Sequence, residues 1–248
     1  MSIKIGDIFQ LGNHLLACGD STDEKFVSNF LSDKKISCIL TDPPYGVAYV
    51  ENSFEESSHK KIINDHLQNE VEYVNFNKAW LDAASPYLST KNSCYIFNSD
   101  KMLFALKQAM DKSKFKFSQL LIWIKNNAVI GRLDYLPQHE LIIYGWHGTH
   151  QFHKAKDKSV IFCPKPNKSK LHPTMKSISL LRRLILNSTL ISDWIYDPFG
   201  GSGSTLIACE QTKRKCLMIE LDPHYCEIII NRFEKLTGIK SKQIKTKL

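Results

Sequence analysis

The sequence predicts an α/β fold on three observations. Short apolar runs rich in β-branched residues recur along the chain, longer amphipathic stretches separate them, and no run approaches the roughly 20 apolar residues of a membrane span. At 248 residues, 43% of them hydrophobic and 23% charged, the chain can bury one sizeable core and reads as a single domain over 1–248. With 11 Gly and 9 Pro it is neither collagen-like nor of low complexity.

The elements follow in order. Strands are expected at His14–Gly19 and Ile36–Thr41, both short and apolar. A helix is expected over Val71 to Tyr87, where Val71, Val74, Ala79, Leu81 and Ala83 have helix-compatible spacing and Pro86 lies near the end. A strand at Cys94–Asn98, a helix at Met102–Met110, strands at Leu120–Lys125 and Glu140–Gly145, and a helix at Ile178–Leu190 come next. Then a strand at Trp194–Asp197 runs through a Gly-rich turn into a helix, and a strand at Cys216–Leu221 follows. The last helix carries its own punctuation: Asp222 can cap it, Pro223 suits its first turn, Tyr225, Ile228, Ile229 and Phe233 form one face, and Gly238 can stop it. The basic tail, 239–248, is expected to fray.

Two segments fit no regular element. Residues 49–70 carry Asn52, Ser53, Glu55, Glu56, Ser57 and Ser58 and read as a mobile loop over the end of the preceding strand. Residues 147–176 hold His147, His150, His153, His172, seven lysines, three prolines and a single acid, Asp157. The basic excess is uneven: through residue 99 there are 8 basic and 13 acidic residues, net −5, and beyond it 25 and 12, net +13. Such a split suits a surface that faces a polyanion. The three histidines invite a metal, but no thiolate or carboxylate has matching spacing, so none is expected. The seven cysteines, an odd number without a Cys-x-x-Cys pair, mostly sit in apolar runs and fit reduced core residues. Together with an N-terminus that lacks a signal-peptide stretch, they suggest a soluble, cytoplasmic protein away from membranes.

Two motifs carry chemistry. Thr41-Asp42-Pro43-Pro44-Tyr45-Gly46 follows the apolar run Ile36–Leu40 directly. Successive prolines donate no main-chain hydrogen bonds and hold the chain extended, so a carboxylate, a bare carbonyl and an aromatic ring leave the sheet side by side. That set suits an exocyclic amine on a planar base: Asp42 and a Pro-Pro carbonyl each accept one N–H, and Tyr45 stacks on the ring. A Pro-rich strand exit with a turn-capping Asp is the plainer alternative. The second motif is Trp194-Ile-Tyr-Asp197-Pro-Phe199-Gly200-Gly201-Ser202-Gly203, a strand, a Gly-rich turn and a helix start. It lacks the Gly-Lys-Ser/Thr of a P-loop, and Leu206 stands where a dinucleotide fingerprint needs its third glycine. Glu220, seventeen residues after Gly203 at a strand end, can bind both hydroxyls of a ribose. An adenosyl ligand without pyrophosphate fits better than NAD.

Asp42-Pro-Pro-Tyr45 followed by Phe199-Gly-Gly-Ser-Gly203 resembles the β-class amino-methylating DNA methyltransferases, in which the catalytic motif precedes the S-adenosylmethionine (AdoMet) motif. The likeness extends to Leu15–Thr22, Ile122–Asn127, Gln138-His-Glu140, His172-Pro-Thr-Met-Lys176 and Ile219–Tyr225, covering most of 11–238. Met175 and Ser177 depart from the family's usual Gln and Pro. The resemblance implies a Rossmann-like methyltransferase fold with permuted motif order, a seven-stranded, mostly parallel sheet with helices on both faces. It implies site-specific transfer of a methyl group from AdoMet to N6 of a flipped-out adenine in double-stranded DNA, in a restriction-modification setting. The catalytic residues would be Asp42, Pro43, Pro44 and Tyr45. Asp197, Phe199, Gly200, Gly201, Ser202 and Gly203 would line the AdoMet site, with Glu220 on the ribose, Asp20 at the adenine, and Thr174 and Lys176 at the methionine end. Lys154, Lys156, Lys158, Lys165, Lys168 and Lys170 would meet phosphates from a DNA-contacting segment over 147–171. A homodimer could supply further contacts. N4-cytosine is the nearest alternative acceptor, although Ser is commoner than Asp at position 42 in that group. RNA or protein-amide methylation and a non-catalytic DNA-binding relative are more distant.

Overall fold

The computed structural model describes residues 3–45, 69–128, 134–154, 156–164 and 176–244. Its strands are β1 (Ile8–Leu11), β2 (His14–Cys18), β3 (Ile36–Thr41), β4 (Leu88–Asn98), β5 (Phe115–Ile124), β6 (His139–His147), β7 (Thr149–His150), β8 (Val160–Phe162), β9 (Trp194–Asp197), β10 (Lys215–Glu220) and β11 (Lys242–Ile244). The helices are α1 (Glu24–Leu31), α2 (Glu70–Ala84), α3 (Leu103–Lys112), α4 (Ile178–Ser188), α5 (Ser204–Thr212) and α6 (Pro223–Thr237), with one 3-10 turn at Ser85–Tyr87.

One sheet runs β11-β1-β2-β10-β9-β3-β4-β6-β5-β8, with β7 paired to β4 off this path. Neighbours from β2 to β4 are parallel, and β6 is antiparallel to both β4 and β5. The seven predicted strands are the central β2, β10, β9, β3, β4, β6 and β5. Side chains alternate across it: Cys216 and Met218 enter the core under α4, α5 and α6, while Leu217 and Ile219 enter the one under α1, α2 and α3. The helices therefore cover both faces.

Local chemistry explains the helix ends. Asn69 caps α2 by accepting from the Glu72 amide at 2.9 Å while Glu72 accepts from the Asn69 amide at 3.2 Å. Asp222 caps α6 through the His224 amide, 2.8 Å, and Gly238 ends it at φ +73°. No described helix is long and apolar enough to cross a membrane.

Two expectations need correction. The tail 239–248 is not frayed throughout: β11 pairs antiparallel with β1, Ile8 opposite Ile244, and Glu234 accepts from the Ser241 amide at 2.9 Å and the Ser241 hydroxyl at 2.8 Å. The basic segment after His147 is not wholly irregular, because β7 pairs with β4, and β8 extends the sheet beside β5. Its one acid holds it down. Asp157 forms a two-point ion pair with Arg183 of α4, 2.9 Å at Nε, and also accepts from Asn187 Nδ2 at 2.6 Å. The loop expected over 49–70 lies outside the described residues, apart from the Asn69 cap and Glu70, which opens α2.

Candidate active site

The site lies where the chain changes direction across the sheet. From β3 the chain passes through α2 to β4 on one side, and from β9 through α5 to β10 on the other. Their carboxyl ends are adjacent and the connections leaving them run to opposite sides, the topology at which open α/β sheets form a ligand-binding crevice. Asp42, Pro43, Pro44 and Tyr45 leave the end of β3, and the Gly-rich turn leaves β9. A buried hydrogen bond joins the two exits: the Thr41 hydroxyl donates to Asp197 Oδ1 at 2.8 Å. The same oxygen accepts from the Phe199 amide at 3.2 Å. Burial pushes the Asp197 carboxyl up to about 7.

Within the turn the glycines have different reasons. A Cβ on Gly200 would meet Met218 Cγ at 2.8 Å, and one on Gly203, at φ +79°, would meet Ile229 at 3.1 Å. Those two serve close packing on β10 and α6. Gly201, at φ +50° and partly exposed, gives its amide to Glu220 Oε2 at 2.6 Å, while the Asp222 amide reaches Glu220 Oε1 at 2.9 Å. Burial raises the Glu220 carboxyl to about 7 despite these donors. Arg232 of α6 braces the turn by donating to the Ser202 carbonyl at 2.8 Å. Phe199 packs against Phe76 and Trp80 of α2, with centroids 5.6 and 5.7 Å away. Asp20, exposed just beyond β2, accepts from the Thr22 amide and hydroxyl, both at 2.8 Å, and Asp23 rather than Asp20 caps α1.

At the other exit Asp42 is occupied on both oxygens. The Tyr45 hydroxyl donates to Oδ1 at 2.5 Å, and the Lys176 ammonium lies 2.7 Å from Oδ2. Lys176 also lies 2.8 Å from Glu140 Oε2, and Glu140 Oε1 lies 2.7 Å from Lys125 Nζ. Four alternating charges thus stand in a row, ending at Asp42. Burial pushes the Asp42 carboxyl above its usual range against the pull of Lys176. Burial also opposes ionisation of Glu140, yet the two ammonium groups outweigh it and hold its carboxyl down at about 2.

The resemblance puts Lys176 at the methionine end of the cofactor; in the structure the Asp42 and Glu140 carboxylates share its charge. Glu140 and Lys125 were not singled out as site residues, since an alternating strand marks burial and not partners. Lys154, Lys156 and Lys158 are exposed on the basic segment, whereas Thr174, Lys165, Lys168 and Lys170 lie outside the described residues. His147 and His150 pack on Phe115 and Trp146, with centroids 5.1 and 4.9 Å apart, and no metal-holding group of His, Cys, Asp or Glu occurs among the described residues. All seven cysteines are buried and free.

A family model described as DNA methylase, of the N6/N4 methyltransferase type, matches residues 36–231. The chain is similar to the type II methyltransferase M2.MboI of Moraxella bovis, 27% identical over 245 residues spanning 90% of this chain and 89% of that one. It is similar to M2.DpnII of Streptococcus pneumoniae, 24% identical over 235 residues covering 85% and 86%. Among solved structures, the M1.HpyAVI complex with S-adenosylmethionine superposes with a TM-score of 0.65 at 23% identity, over 88% of this chain and 98% of that one. PvuII DNA methyltransferase, described as cytosine-N4-specific, gives 0.70 at 17% identity and 92% coverage of each chain. Both solved structures share the fold of this chain.

Proposed function

The chain belongs to the N6/N4 family of DNA methylases, and from that premise we propose that the acceptor of its methyl group is N6 of an adenine swung out of the duplex. The observation that carries this reading is the pairing of Asp42 and the Pro-Pro ribbon with the β9 turn across the crevice, bridged by Thr41 and Asp197. Asp at position 42, where Ser is commoner in the N4-cytosine group, favours adenine.

The residues fit AdoMet. Glu220 offers a carboxylate to two ribose hydroxyls, Gly201 exposes main chain beside it, and Asp20 stands at the end of the neighbouring strand for the adenine. AdoMet supplies a methyl already activated by its sulfonium. The protein's work is then position and electrostatics. An exocyclic amine is a poor nucleophile because its lone pair is delocalised into the ring. Asp42 accepts one amine N–H and a Pro-Pro carbonyl the other, which favours a pyramidal nitrogen with its lone pair aimed at the methyl. For this Asp42 exchanges a partner. The neutral Tyr45 hydroxyl leaves at lower cost than the Lys176 ammonium, and its departure frees the Tyr45 ring to stack on the base. No covalent enzyme intermediate is needed.

The same reading gives phosphate contacts to Lys154, Lys156 and Lys158, and treats 1–248 as one catalytic domain acting on double-stranded DNA, alone or as a homodimer. The test is direct. Unmethylated DNA incubated with the protein and AdoMet, digested to nucleosides and resolved by mass, is expected to yield N6-methyladenine. N4-methylcytosine in its place would overturn the adenine assignment and leave the amine chemistry standing.

A further inference from the structure

The hairpin of β5 and β6 brings two more charges to Asp42. Glu140 lies opposite Trp123 in the β5–β6 register, and Lys125 follows β5 directly. Gln138 holds Lys125 in place: the Lys125 amide donates to the Gln138 carbonyl at 2.9 Å, and Gln138 Nε2 donates to the Lys125 carbonyl at 3.1 Å. Lys125 further lies over the Trp123 ring at 5.5 Å, and Lys176 over Phe97 at 5.0 Å. The Lys125, Lys176 and Glu140 side chains are only 6%, 9% and 19% exposed.

Burying such charges costs several kcal/mol per ion, and apolar residues of similar volume often serve stability as well or better. The row therefore calls for a functional account. The ammonium of Lys176 lies at nearly equal distances from two carboxylates, 2.7 Å from Asp42 and 2.8 Å from Glu140, with a longer bond of 3.3 Å to the Tyr45 hydroxyl. Its three N–H donors serve all three partners, but one positive charge is divided between two carboxylates. Lys125 in turn holds Glu140 from behind. We infer that Glu140, anchored by Lys125, is a positioning residue that competes with Asp42 for the Lys176 ammonium, and so sets how much of the Asp42 carboxylate stays available to the amine. The inference rests on the role proposed above for Asp42.

Opposite effects follow at the two ends of the row. Removing the charge of Glu140 leaves Lys176 to Asp42 alone, which ties Asp42 more tightly and favours its ionised form. Removing the charge of Lys125 leaves Glu140 to Lys176 alone, which draws the ammonium off Asp42 and favours the protonated form. The groups facing Asp42 are Tyr45 from its own segment, Lys176 ahead of α4, Glu140 of β6, and Asp197 of β9. Glu140→Gln removes the repulsion from Glu140 and strengthens the hold of Lys176 on Asp42, whereas Lys125→Gln weakens that hold.

The experiment is the pH dependence of kcat/KM on unmethylated plasmid DNA, with AdoMet affinity from calorimetry. Because Asp42 acts ionised, the rate rises with pH through its titration. Glu140→Gln is expected to lower transfer about tenfold and to move the acid limb to lower pH. Lys125→Gln is expected to move it to higher pH. AdoMet affinity should stay within twofold in both. Limbs that stay put, or that move in the same direction, would overturn the inference. Should Glu140→Gln fail to fold by circular dichroism, Lys125→Gln decides alone, and an unmoved limb overturns it. Asp42→Ala separates the two levels: substantial turnover in that variant would sink the proposed function itself, whereas a dead Asp42→Ala with unmoved limbs would sink only the role of Glu140.

Discussion

Glu220 has a consequence that can be measured apart from catalysis. Its carboxyl is pushed up to about 7 by burial, with the Asp222 and Gly201 amides opposing. A ribose diol donates two hydrogen bonds, and the ionised form accepts them better. As pH falls through about 7 the group protonates, so AdoMet affinity should fall with it, and Glu220→Gln should bind weakly with a flattened pH profile. Calorimetric titration on either side of neutrality checks both. Glu220 and Asp42 were legible in the sequence because each follows an apolar run at a strand end, where a carboxylate needs a reason. Lys176 was legible as a site residue through the resemblance, which puts it at the methionine end of the cofactor, but not as a partner of Asp42. Its partners lie just past β3 and on β6, far off in the chain, so spacing could not reveal that it joins Asp42 to Glu140. Tyr45 was expected to stack on a base; that role remains open to it once its hydroxyl leaves Asp42.

The elements that were legible are those whose pattern is long enough to repeat. The seven central strands and the helices α2 to α6 follow from apolar runs, caps and glycine stops. Not found were α1, only eight residues long, and the short β1, β7, β8 and β11. β7, β8 and β11, of two or three residues, carry too few residues for a period and exist only through partners distant in sequence. The basic segment shows how one residue decides an element. Asp157, the lone acid there, binds Arg183 and Asn187, while the His153 and Lys154 amides bond the Asn187 carbonyl at 2.6 and 3.3 Å. The Arg183 guanidinium holds the Asp157 carboxyl below its usual range. Asp157→Ala should therefore loosen the segment without unfolding the sheet. Hydrogen exchange at the His153 and Lys154 amides is expected to quicken by roughly tenfold or more, with β9 and β10 unchanged. Equal quickening in β9 and β10 would mean that Asp157 supports the whole fold.

At the scale of the molecule, charge and topology divide the work. The basic half, net +13 beyond residue 99, includes the exposed Lys154, Lys156 and Lys158. Replacing those three with Gln should weaken binding to every DNA sequence and flatten its salt dependence by nearly one unit of slope per lost phosphate contact. Titrations across a salt series would check this, and an unchanged slope would make the three a solvated face. The function proposed above divides the reaction between the exits of β3 and β9, which are neighbours in the sheet: the base amine would meet Asp42 and the methyl donor would meet Gly201 and Glu220. The two sides can then be silenced separately. The most direct measurement is methyl incorporation from labelled AdoMet by Asp42→Ala, set beside AdoMet binding by the same variant. The account expects transfer to vanish while AdoMet affinity stays close to that of the unmodified protein, and turnover above about a tenth of the original, or loss of AdoMet binding in a folded variant, would contradict it.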